Sequence, residues 1–204
     1  MQPSDFFRSI PTRIDGLRSA NDMLDAAALL LRDQSVEDLS TQKIADRSGY
    51  SIGAIYRRFV SKEAIVGALI ARSFEQKFQA AENAFINHQA STVENHAGII
   101  VDGYAHTLNG NGRFLKNLLQ AALSDRTLAN KAVRLQFVLC RALIETIQKR
   151  SSDAAELDPD VILPVFNGIL FGSFRSANLI MPAGLDASQR NIIKQSLTAL
   201  LKQA

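Results

Sequence analysis

Residues 40–59 read Ser-Thr-Gln-Lys-Ile-Ala-Asp-Arg-Ser-Gly-Tyr-Ser-Ile-Gly-Ala-Ile-Tyr-Arg-Arg-Phe, and their types and spacing suit one definite chemistry, contact with a nucleic-acid duplex. Between Thr41 and Lys62 five basic residues (Lys43, Arg47, Arg57, Arg58, Lys62) stand against Asp46 alone, whereas residues 1–66 balance nine bases with nine acids. Charge focused in this way favours a placed, site-reading contact over non-specific binding. Ala45, Gly49 and Ile55 have the spacing of a helix-turn-helix. The small residue lets two helices approach, the glycine takes the left-handed conformation past a helix end, and Ile55, with Ile44, pins the pair to a core. Ser40 and Ser51 can cap the two helices through side-chain oxygens that accept from exposed backbone N–H groups.

Other chemistries find little support. His88, His96 and His106 are spaced by eight and ten residues, so no pair shares a helical face for a metal, and they read as surface or ordinary polar histidines. Asn109-Gly110-Asn111-Gly112 lacks the Gly-Lys-Ser/Thr ending of a phosphate loop and reads as a helix-linking turn. No nucleophile elbow occurs, so neither an enzyme nor a cofactor is expected. The single cysteine, Cys140, follows Phe137, Val138 and Leu139 and reads as a buried structural thiol suited to a reducing cytoplasm.

The elements that must position the motif are helical. The chain has 204 residues, 47% hydrophobic and 21% charged, with a formal net charge of +3, a globular composition too nearly neutral to argue for any partner by itself. Helical stripes recur at Leu24, Ala27, Ala28, Leu31; at Phe74, Phe78, Ala81, Phe85; at Leu115, Leu118, Leu119, Ala122; and at Ile193, Leu197, Leu200, Leu201. No sustained alternation marks a strand, so the fold class is all-α with about nine helices. Turn chemistry places breaks at 35–38, 49–51, 109–112, 151–158 and 182–184. Ser91-x-x-Glu94 and Asp158-Pro159 mark helix starts. Short helices before about Ala64 form an N-terminal helix-turn-helix module, residues 1–60, and longer ones form a helical body, residues 61–204. Met1 to Pro11 reads as a loose leader without a signal peptide. The apolar stretch Val161 to Met181, interrupted by Pro164, Asn167, Arg175 and Asn178, reads as a buried helix and not a membrane span. Within it Gly168, Gly172 and Ser176 form a small-residue face, and a helix apolar nearly all round suggests a subunit interface.

With these motifs in hand, residues Met23 to Leu69 resemble the TetR family of bacterial transcriptional regulators. The match runs from Met23-Leu24-Asp25-Ala26-Ala27 through Ser40-Thr41-Gln42-Lys43-Ile44-Ala45 and residues 49–59 to Ser61-Lys62-Glu63-Ala64-Ile65. Tyr56, Phe59, Lys62 and Glu63 fit the family pattern Tyr-x-x-Phe-x-x-Lys-Glu. Ser35-Val36 replaces the family's usual Gly-aromatic pair, and Arg58 stands where His is frequent. The resemblance implies that Ser40, Thr41, Tyr56, Arg58 and Lys62 meet phosphates, while Gln42, Ser51, Ile52, Gly53, Ala54 and Arg57 face the major groove. Tyr56 also reads as a core aromatic with a solvated hydroxyl. The resemblance further implies a cytoplasmic homodimer that binds a palindromic operator, most often as a repressor, and is released by a small-molecule effector. A ligand cavity would draw on Phe74, Phe78, Tyr104, Phe114, Phe137, Phe166 and Phe171. Dimerisation through the last two helices would use Gly168, Gly172, Ser176, Ile193, Leu197 and Leu200. The competing reading is a helical small-molecule-binding protein or enzyme with a non-functional helix-turn-helix.

Overall fold

The computed structural model describes residues 14–173 and 185–202, and every regular element in them is helical. In chain order these are α1 (Ile14–Asp33), α2 (Thr41–Ser48), α3 (Ile52–Arg58), α4 (Lys62–Asn87), α5 (Val93–Ser124), α6 (Arg126–Arg150), α7 (Pro159–Asn167), a π-helical turn (Gly168–Gly172) and α8 (Ala187–Lys202). Among the described residues no helix is long and apolar enough to cross a membrane.

The chain forms two compact units. The first combines the described residues up to Ser73 with Arg113–Leu135, and the second combines Phe74–Gly112 with the described residues from Gln136. This cut by compactness differs from the division at residue 60 expected from the sequence, because α4, α5 and α6 each contribute to both units.

In the first unit, α1 buries Ala20, Met23, Leu24, Ala27 and Leu31, the spacing of one helical face, and packs on α2. Asn117, brought in by α5, is buried, and its Nδ2 donates to the carbonyls of Leu31 at 2.8 Å and Gln34 at 2.9 Å. The last carbonyls of a helix have no partner within it, so this amide satisfies groups that burial would otherwise penalise. The loop that follows is held by lysines: Lys43 Nζ donates to Gln34 Oε1 (3.0 Å) and to the Asp38 carbonyl (2.7 Å), and Lys62 Nζ donates to the Val36 carbonyl at 3.1 Å.

The second unit has a core of Phe85, Val93, Ala97, Ile100, Cys140, Ile144, Ile147, Phe166, Leu170, Leu197 and neighbours. Cys140 is buried, which pushes its thiol up to about 12. His96 is buried too, unlike the surface or ordinary polar histidine expected. Its Nδ1 lies 2.8 Å from the Thr92 carbonyl and 3.0 Å from Ser151 Oγ. A carbonyl only accepts, so Nδ1 carries the proton and buried Nε2 is left without a partner. Burial holds the imidazole pKa below its ordinary value.

Three local expectations are corrected. Residues 109–112 do not break the chain but lie inside α5, a helix of 32 residues, so the surrounding helix overrides the roughly 1 kcal/mol that each glycine costs. The start of α5 is capped by Thr92, whose Oγ1 accepts from Asn95 N–H at 3.2 Å, while Ser91 uses its carbonyl to accept from Ser152 N–H. The stretch from Val161 is not buried all round: Val161 is 72% and Val165 52% exposed. Asp158 caps α7, with Pro159 in its first turn, as expected. Met1 to Pro11, Ser176 and the break at 182–184 lie outside the described residues.

Asn117→Ala should lower the unfolding free energy by about 1–3 kcal/mol, the cost of leaving buried acceptors unpaired. Asn117→Asp should lower it further, since a carboxylate would face two carbonyl oxygens. Urea unfolding of the three proteins reads the order directly.

Candidate nucleic-acid interface

The helix-turn-helix is built from local chemistry. Ser40 Oγ accepts from Lys43 N–H at 3.2 Å and starts α2, and Ser51 Oγ accepts from Ala54 N–H at 3.1 Å and starts α3. Gly49 closes α2 with φ of 75°, a left-handed conformation that costs glycine little, and its N–H donates to the Ala45 carbonyl at 3.0 Å. Ile44, Ala45, Ile55 and Phe59 are buried, with Ile44, Ile55 and Phe59 fully so, each of these three stabilising the module by about 1.5–3 kcal/mol. The turn is tied to α1 by Tyr50, whose hydroxyl donates to Asp22 Oδ2 at 2.8 Å.

With the apolar side of α3 committed inward, its other side is presented to solvent. Ser51, Ile52, Gly53, Tyr56 and Arg57 are exposed, Ala54 is half-buried, and Ile52 (37%) and Tyr56 (42%) are unusually open for their size. Exposure of Tyr56 excludes the core-aromatic reading; its hydroxyl shares a 3.3 Å hydrogen bond with Thr41 Oγ1 across the two helices. On α2, exposed Gln42 donates from Nε2 to Asp46 Oδ1 at 2.7 Å.

The basic residues divide into two kinds. Arg47 and Arg57 are exposed and, among the described residues, have no hydrogen-bond or ion-pair partner. Lys43 and Lys62 are tied to loop carbonyls, and half-buried Arg58 donates from Nε to Ser19 Oγ at 3.3 Å. The tethered groups keep their charge near the interface, but Lys62 and Arg58 already serve the module's own fold, a role that sequence spacing did not reveal.

The expected ligand aromatics do not form one set. Phe74, Tyr104 and Phe171 meet edge to face, with ring centroids 5.6 Å (Phe74–Phe171) and 5.4 Å (Tyr104–Phe171) apart. Phe78 and Phe137 pack partly buried on the second unit's core, Phe166 is fully buried in it, and Phe114 belongs to the first unit. Lys77, not singled out from the sequence, lies against Phe74 and Tyr104. A charged residue one turn from Phe74 reads as solvated in a sequence, and only its three-dimensional setting distinguishes it.

The expected interface residues also divide. Gly168 and Gly172 lie in the π-helical turn, and a Cβ added to either meets nothing within 4 Å. Ile193 and Leu197 are corrected to core positions, because the buried stripe of α8 runs through Ile193, Leu197 and Leu201. Leu200 is partly buried against the same core. The outward side of α8 instead carries Ile192, 59% exposed.

Residues 23–69 match the family model described as bacterial regulatory proteins, tetR family. Among solved structures, a regulator from Mesorhizobium loti assigned to the TetR family has a TM-score of 0.70 at 15% identity, covering 92% of this chain and 97% of that one. A TetR transcriptional regulator from Rhodococcus sp. RHA1 has a TM-score of 0.66 at 16% identity, covering 91% and 97%. The transcriptional regulator FadR from Bacillus subtilis, solved with stearoyl-CoA, has a TM-score of 0.63 at 16% identity, covering 90% and 99%. No curated protein matches the sequence. At these identities the likeness is one of fold.

A Cβ on Gly53 would approach only Ser51 Oγ, at 3.9 Å, so the protein itself does not require glycine there. Gly53→Ala should leave stability unchanged or raise it by up to about 0.5–1 kcal/mol. Its duplex affinity should fall several-fold if the α3 backbone approaches DNA, as read by thermal unfolding beside fluorescence anisotropy.

Proposed function

From a tetR-family match over residues 23–69 and a fold shared with TetR-family regulators over 92% of the chain, we propose a ligand-responsive DNA-binding regulator, acting as a repressor on a palindromic operator. The observation that carries this reading is the exposed set Ile52, Gly53, Tyr56 and Arg57 on a short helix whose other side is locked into a core. An exposed isoleucine suits a thymine methyl, an arginine pairs bidentately with guanine, and Gln42 can pair with adenine once it leaves Asp46. Ser40, Thr41, Tyr56, Arg58 and Lys62 would position the module on phosphates, with Arg58 and Lys62 exchanging or sharing their present partners. The role is one of binding and not of catalysis.

A homodimer follows from the operator's symmetry, since two recognition helices must reach half-sites about 34–36 Å apart, or a multiple of that. Support comes from exposed apolar residues, Val161 and Val165 on α7 and Ile192 on α8, and from Gly168 and Gly172, where an added Cβ meets nothing within 4 Å. The sensing role of residues 61–204 draws support from FadR, a protein of this fold solved with stearoyl-CoA. A ligand that prefers a different separation of the two recognition helices would lower operator affinity and release the gene.

Selection of bound duplexes from a random pool should enrich a palindrome at moderate salt. Arg57→Ala should then relax preference at one position of each half-site, at a cost of about 1–3 kcal/mol. Recovery of no palindrome, or uniform loss on all sequences for Arg57→Ala, would count against the reading.

Gly172→Leu provides a test of the dimer, because a Cβ added at this position meets nothing within 4 Å in the protomer. We expect a folded, monomeric variant in sedimentation that no longer binds the operator. A variant that stays fully dimeric would remove this surface from the interface.

A further inference from the structure

Lys77 occupies an aromatic setting in the second unit. It lies on α4 one turn beyond Phe74, half-buried, with its Nζ 5.9 Å from the centre of the Phe74 ring and 5.2 Å from that of Tyr104. Phe171, from the π-helical turn, stands edge-on to both rings and closes the group. Such turns are frequent at functional sites, and this one follows Pro164, which cannot donate a backbone hydrogen bond.

Among the described residues no carboxylate answers the ammonium. Among the described residues Lys77 has no hydrogen bond or ion pair, and segments 107–111 and 174–184 contain no Asp or Glu in their sequence. Ring faces offset part of the cost of removing the charge from water, but not what an anion would offset. Burial alone lowers the lysine to about 8. A methionine would fill this space at less cost, so a lysine here suits a ligand better than it suits the fold.

We propose that Lys77 anchors the carboxylate of a small-molecule effector whose remaining body is apolar or aromatic and lies against Phe74, Tyr104 and Phe171. The inference rests on the sensing role proposed above for residues 61–204. A single cation among the described residues of this group fits a monoanion, whereas a phosphate dianion calls for more donors.

The test is calorimetric titration of the full chain with two matched pairs, octanoate against octanamide and 3-phenylpropanoate against 3-phenylpropanamide. At least one carboxylate should bind about ten-fold or more tightly than its amide. Lys77→Met should equalise that pair and Lys77→Arg should retain the preference, with circular dichroism showing both variants folded. A second readout is proton uptake at pH 8, from heats measured in two buffers of different ionisation enthalpy. The half-neutral amine should take up a proton when a carboxylate binds, and Lys77→Met should not. Tyr104 from α5 and Cys140 from α6, both pushed upward by burial, stay neutral at that pH, and the π-helical turn has no titratable side chain. Equal affinity within both pairs, binding of none of the four probes, or a preference that survives Lys77→Met would each overturn the inference. Duplex selection needs no effector, so an enriched palindrome without a carboxylate preference removes this inference alone. A carboxylate preference without any enriched duplex removes the regulator reading and leaves the site standing.

Discussion

The first unit depends on one buried amide. Asn117 belongs to a helix that starts in the second unit, yet both hydrogens of its Nδ2 are spent on the end of α1, at Leu31 and Gln34. That end opens the loop to α2, where Gln34 receives Lys43, and the carbonyls of Asp38 and Val36 receive Lys43 and Lys62. Helix α3 therefore inherits its position from a sequence of directional bonds as well as from apolar burial. Hydrophobic contact holds α3 close, and the amide and the two lysines settle where the helices before it end and begin.

What could be read from the sequence was what is decided locally. Ser40, Ser51 and Gly49 act within three or four residues of themselves, and their caps and left-handed turn follow from side-chain oxygen and absent Cβ alone. Ile55 and Ile44 were legible for a related reason, since an apolar residue at helical spacing has few alternatives to burial. Asn109 to Gly112 misled because turn propensity is a weak term beside a long helix that continues on both sides. Ile193 and Leu197 misled because periodicity identifies an apolar face but does not say whether the chain itself or a second copy covers it. Lys62 and Arg58 carried the expected charge, while their bonds to Val36 and Ser19 join residues 26 and 39 positions apart, beyond any local pattern.

The second unit tolerates polar groups that a purely structural core would exclude. Lys77 lies among Phe74, Tyr104 and Phe171, and His96 lies against Phe85 with ring centroids 4.5 Å apart. Either could be replaced by an apolar residue of similar volume with little loss of packing. The same unit carries a proline inside α7 and a π-helical turn after it, whereas both helices of the helix-turn-helix are regular and capped by serine side chains.

His96 also gives the molecule an uneven response to acid. All three histidines lie between Phe74 and Gly112, so every imidazole of the chain belongs to the second unit. For His96 the folded state holds its proton less firmly than the unfolded chain does, because the imidazolium would be buried with Arg150 nearby. Its neutral form therefore favours the native state above the unfolded value of about 6.5, and that advantage fades as the pH falls through the lower, folded value. Mild acid would therefore weaken the second unit through His96, while the helix-turn-helix of the first holds no histidine at all.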